Sequence, residues 1–173
     1  MKNLTALSLK TERGQLYVLD QTALPQQQQW RHCQTISEMV SMIKALQLRG
    51  APAIGIGACL LLAYRASVGD SREQLLQDAE VLRAARPTAV NLMNNLDSML
   101  VAIKQADFKT AAIACAEQLF AEDVALCQRM AEQGAALVQH GEQLLTHCNT
   151  GGLATAGVGT ALGVINLAHQ QGK

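Results

Sequence analysis

The chain has 173 residues, 49% of them apolar, 16% charged and only 3% aromatic, so a core of Ala, Leu, Val, Ile and Met is expected, a composition that favours helices. Fourteen Lys and Arg residues balance fourteen Asp and Glu, which leaves no net positive charge to attract nucleic acid or an anionic membrane. The five cysteines are odd in number and lack a C-x-x-C spacing, and the N-terminus has no long apolar signal segment, so a reducing, cytoplasmic setting is expected.

In chain order, "LTALSLKTERGQLYVLDQTALP" holds two strand-like runs around Glu12, Arg13 and Gly14 and reads as an N-terminal hairpin. The polar "QQQQWRHCQ" that follows suits either a third strand or a loop. Thr35-Ile36-Ser37-Glu38 has the form of a capping box, and Ile36, Val40, Ile43 and Leu46 give the first helix one apolar face. A second helix is expected to start near Pro52, which suits a first helical position, and to run to about Ala66. Its stretch "APAIGIGACLLLAY" is broken by glycines and is shorter than the roughly 20 residues of a bilayer span, so it reads as a buried helix. Ser71 to Gln74 offers another capping box, for a third helix that stops by Arg86-Pro87. Thr88 is placed to cap a fourth, with Leu92, Leu96, Met99 and Ile103 in one stripe. A long helical region begins near Lys109, sets Ile113, Ala116, Phe120, Val124, Cys127 and Met130 on one side, and has Gly141 as its C-cap.

"LLTHC" (144–148) has the length and polarity of a buried parallel strand, and "LATAGVGTALGVINLAHQ" reads as the helix after it. A parallel strand needs neighbours, and none is in prospect before Lys173, so an incomplete α/β domain is expected. Cys148 would then sit at the strand's C-terminal end and ahead of a helix N-terminus, where ligands gather and a thiolate is favoured; an inert packing cysteine is the plainer alternative. In a regular strand His147 points to the opposite face, which rules it out as a partner for Cys148. His32-Cys33 matches no zinc spacing, and no metal site is expected. "GVGTALG" lies inside a helix and has the wrong last spacing for a dinucleotide fingerprint. Arg49, before Gly50-Ala51-Pro52, and Arg86, before Pro87-Thr88, stand at helix starts where a guanidinium and free N–H groups can converge on a phosphate; each is also explained as a surface arginine.

Taken together, "LRGAPAIGIGA" (48–58), "RPTAVNL" (86–92) and "LLTHCNTGGLATAGVGTALGVI" (144–165) resemble, in order and spacing, the methylthioribose-1-phosphate isomerase family of methionine salvage. The resemblance implies an α+β N-terminal domain over 1–141, a small β hairpin or sheet plus a helical bundle. Residues 142–173 would be the first βα unit of a truncated Rossmann-like α/β catalytic domain. It further implies an aldose–ketose isomerase that converts 5-methylthioribose 1-phosphate into 5-methylthioribulose 1-phosphate, without cofactor or metal, as a cytoplasmic homodimer. Arg49, Gly50 and Ala51 match the family's substrate-binding triplet, Arg86 a second substrate contact, and Cys148 the active-site cysteine. The family's aspartate acid belongs to a later segment that these residues do not include, so the 173-residue chain by itself is expected to be inactive. Two alternatives share the resemblance: the non-catalytic regulatory subunits of a translation initiation exchange factor, and ribose-1,5-bisphosphate isomerase. The "RGAPAIG" and "THCNTGG" runs point to the enzyme branch.

Overall fold

The structure is a computed structural model that describes residues 1–173. Arg13 and Gly14 both take positive φ, 51° and 79°, the pair of left-handed residues that a two-residue hairpin turn of the right twist needs. They join β2 (Leu9–Glu12) to β3 (Gln15–Leu19), so the predicted hairpin is present. β1 (Leu4–Thr5) pairs with β2 and β4 (Trp30–Cys33) with β3, giving a four-stranded antiparallel meander in the order β1-β2-β3-β4. The choice left open for the glutamine run resolves into a strand only from Trp30 onward. Side chains alternate as a pleated sheet requires. Leu9, Thr11, Leu16, Val18 and Cys33 are fully buried. The opposite face carries a stacked Tyr17–His32 pair at 5.0 Å and the Lys10 ammonium 4.8 Å from the Trp30 ring.

Thr35 forms the expected capping box at α1 (Ile36–Lys44): its hydroxyl accepts from the Glu38 N–H, and the Glu38 carboxylate accepts from the Thr35 N–H at 2.9 Å. Donation from the Gln34 N–H as well holds the Glu38 carboxyl below its usual range, against the opposing effect of burial. The buried face is Met39, Met42 and Ile43, rotated from the predicted stripe, and Leu46 lies beyond the helix end, 49% exposed. α2 (Ala51–Val68) is the central helix, buried all round from Ala53 to Ala63 and ended by Gly69 in the left-handed conformation. α3 (Arg72–Ala85) starts from Ser71, whose hydroxyl accepts from the Gln74 N–H. α4 (Val90–Ile103) buries Leu92, Leu96, Met99 and Ile103 completely, as the helical spacing predicts.

Two predicted caps are not used. Thr88 lies in an exposed turn, and α4 starts one residue later from Ala89 with no side-chain cap. α5 (Phe108–Leu137) leaves helical geometry at Val138, whose ψ is 132°, before Gly141 is reached. Its buried side is Ala112, Ala116, Phe120, Cys127, Ala131 and Ala135, whereas Val124 is exposed. α6 (Ala161–Gln170) packs on α5 at close range: a Cβ on Gly134 would stand 2.5 Å from a Val164 methyl.

The parallel strand expected at Leu144–Cys148 is not formed in this structure. Its N–H and C=O groups need strands on either side, the only sheet is the N-terminal meander, and Leu145 stands 98% exposed. The helix expected from Leu153 begins instead at Ala161, after a 3₁₀ turn at Gly152–Ala154. Between them the chain closes on itself. Gly151 bridges Gly159, and the Thr150 carbonyl accepts from the N–H groups of Thr160 (2.8 Å) and Leu162 (3.3 Å). The fold is thus a mixed α/β arrangement of one four-stranded antiparallel sheet and six helices, without a formed Rossmann-like unit.

Candidate functional site

Two distant parts of the chain meet at Gly50. It caps the N-terminus of α2 with a φ of 90°, and a Cβ there would overlap the Ala154 backbone. This close approach sets Arg49 beside the segment that carries Cys148. A cleft of about 490 Å³ opens at the junction, lined by Gln21, Arg49, Cys148, Asn149, Gly152 and Asn166 among others. Arg49 and Cys148, named from separate motifs, therefore share one cavity.

Cys148 is exposed and takes a φ of 69°, a conformation that a non-glycine residue holds only at a cost of roughly 1–3 kcal/mol. Its Sγ lies 3.2 Å from His147 Nδ1. The opposite-face expectation for His147 fails because these residues are not in a regular strand, and the left-handed turn brings the two side chains together. The helix dipole expected to favour the thiolate is also absent, since α6 starts only at Ala161. A neighbouring imidazole is the group placed to take the thiol proton. Two of the three buried cysteines, Cys33 and Cys59, are held in the thiol form. Burial, with the Glu38 charge adding, pushes the Cys33 thiol up to about 12, and burial raises Cys59 well above its ordinary value.

The other predicted site residues are not on the cleft surface. Gly50 sits behind it against Ala154, and Ala51 is half-buried as the first residue of α2. Arg86 closes α3, half-buried and outside the cleft. A wider hollow of about 580 Å³ beside Trp30, His32 and Glu38 contains none of them. No three His, Cys, Asp or Glu side chains converge at metal-ligand spacing.

Sequence reasoning missed two polar residues that hold the cleft together. Gln21 lies two residues beyond the end of β3 and reaches across the cleft. Asp123, on α5, accepts a 2.7 Å bond from the Ala156 N–H and so pins the loop between the 3₁₀ turn and α6. Burial raises the Asp123 pKa above its ordinary 3.8, outweighing the N–H groups of Ala156 and Gly157, which lower it. A carboxyl that holds its proton more tightly in the folded state contributes stability that is full at low pH and is lost as pH rises through the raised value. Asp123→Asn keeps an acceptor oxygen and cannot ionise. Its thermal midpoint, measured from pH 3 to 7, should therefore gain on wild type as pH rises above 3.8. A gap that does not change with pH would exclude this account.

The family model described as the initiation factor 2 subunit family matches residues 47–173. A methylthioribose-1-phosphate isomerase from Klebsiella pneumoniae (strain 342) is 57% identical over 173 residues, which is 100% of this chain and 51% of that protein. The same-named protein of Serratia proteamaculans (strain 568) is 54% identical, again over 100% of this chain and 51% of its own length. The chain thus spans about half the length of the curated relatives it matches. A crystal structure of 5-methylthioribose 1-phosphate isomerase from Pyrococcus horikoshii OT3 superposes with a TM-score of 0.86 at 30% identity, covering 97% of this chain and 50% of that one. One of translation initiation factor eIF-2B, subunit delta, from A. fulgidus gives 0.81 at 36% identity, covering 98% and 52%.

Proposed function

The chain belongs to the initiation factor 2 subunit family, and we propose that within it these residues serve an aldose–ketose isomerase acting on 5-methylthioribose 1-phosphate in methionine salvage. The observation that carries the reading is the meeting of Arg49 and Cys148 on one cleft, in a chain 57% identical throughout to a protein of that name. A non-catalytic subunit is the less favoured reading, because the factor subunit is 36% identical.

The 1-phosphate locks the anomeric carbon of the sugar, so the ring must be opened with help before hydrogen moves between C2 and C1. Arg49, at the entrance to α2, supplies the phosphate clamp. Cys148 handles a proton or stabilises the transition state, with His147 at 3.2 Å as its partner. Gly50 and Ala51 shape the clamp from behind, and Arg86, which lies outside the cleft, is assigned a second substrate contact on the family resemblance alone. Residues 1–141 form the N-terminal domain in this proposal, and 142–173 begin a Rossmann-like catalytic domain. The protein works in the cytoplasm as a homodimer.

The natural gene product, incubated with 5-methylthioribose 1-phosphate and followed by NMR, should yield the ketose; no conversion would refute the isomerase reading. In that assay Arg86→Ala should raise KM about tenfold or more, since a charged hydrogen bond contributes about 1.5–3 kcal/mol. An unaltered KM would remove Arg86 from the site.

A further inference from the structure

We propose that Gln21 is the positioning residue of the phosphate clamp, a neutral amide that aims Arg49 without neutralising it; the role rests on the isomerase reading. Gln21 is 4% exposed and fixed through its backbone, whose N–H donates to the Gln47 carbonyl at 3.0 Å, just ahead of Arg49. Its side-chain amide spans the cleft. Nε2 donates to the Leu153 carbonyl at 2.9 Å, inside the 3₁₀ turn, and Oε1 accepts from Arg49 Nε at 3.4 Å. The amide has only one workable orientation: turned over, it would set donor against donor at Arg49 and acceptor against acceptor at Leu153.

The charge distribution around it gives the amide its purpose. No carboxylate pairs with Arg49, and its only side-chain bond is the one from Nε, which leaves the terminal guanidinium nitrogens without a protein partner. The neighbouring carboxylate, Asp20, is already engaged by Arg31 Nε at 2.7 Å, Gln47 Nε2 at 2.9 Å and the Thr22 hydroxyl and N–H. A negative charge thus lies one residue away and is committed elsewhere, while Arg49 meets an uncharged oxygen. An arginine oriented through Nε and left unpaired at its other edge is suited to a dianionic phosphate.

The test uses the natural gene product, with inorganic phosphate as a probe and KM for the sugar phosphate as a second readout. Gln21→Glu has nearly the same shape but places a carboxylate on Arg49 and loses the donor to Leu153. It should weaken phosphate binding about tenfold or more and raise KM to match. Gln21→Met, which removes the aim but adds no charge, should have the smaller effect, and combining it with Arg49→Lys should give less than the product of the two single effects. A merely structural glutamine predicts that the loss of phosphate binding in each variant follows its loss of thermal midpoint, and that Gln21→Met and Arg49→Lys act independently, their effects multiplying in full. That outcome would overturn the proposal, as would unchanged phosphate binding in both variants or a wild-type protein that binds no phosphate. Phosphate binding with the predicted order but no ketose formation would sink the isomerase reading and leave the positioning role standing.

Discussion

Replacing Gly50 with alanine should be among the most damaging single-methyl changes in the molecule. Its φ of 90° disfavours any L side chain, and the new methyl would be driven into the Ala154 backbone, which cannot rotate away as a flexible side chain could. Overpacking against backbone together with the positive φ costs about 2–4 kcal/mol. For a chain of this size that is a fall of roughly 5–15 °C in thermal midpoint. The same shift pries the 3₁₀ turn away from α2, so phosphate binding should fall with stability. The control is Gly14→Ala: φ there is 79°, but nothing lies within 4 Å of the added Cβ, so the loss should be smaller and the cleft untouched. Equal losses in the two variants would show that backbone conformation, not the contact with Ala154, makes Gly50 necessary.

Cys148→Ala should lower turnover of the natural gene product by more than about tenfold, equivalent to roughly 1.4 kcal/mol in barrier height. Stability should hardly move, because the side chain is exposed and surface changes of this kind stay within about 0.5 kcal/mol. The loss should fall on kcat more than on KM, since the proposed phosphate clamp at Arg49 does not depend on the thiol. Near-normal turnover would return Cys148 to the status of its buried counterparts Cys33 and Cys59, which burial keeps protonated.

Features decided by neighbours in sequence were legible before the structure. The Thr35–Glu38 box and the Arg13-Gly14 turn need only residues a few positions apart. So does the Leu92-to-Ile103 stripe, which depends on period and on one apolar face. Features decided by distant partners were read wrongly or not at all. "LLTHC" has the composition of a strand, but composition supplies no neighbour, and the segment stays unpaired here. The opposite-face rule for His147 inherited that error. Arg49 and Cys148 could be named from their motifs, whereas Gln21 could not, because its partners lie 28 and 132 residues away. The only local hint was a polar Asp20-Gln21 pair directly after an alternating strand, which a turn explains equally well.

The two sides of the cleft also differ in the free energy needed to displace them. Arg49 and Gly50 hang from the start of α2, whose residues from Ala53 to Ala63 are buried on every side, so that edge moves only when the whole core opens. Cys148 ends a stretch from Val138 with no ladder partner, and such a segment rearranges at little cost. Under the proposed isomerase reading, a phosphate-bearing ligand would meet a rigid arginine edge and an adaptable thiol edge, and the expected order of events follows from that difference: docking first on what is already rigid, with the cysteine drawn into register afterward.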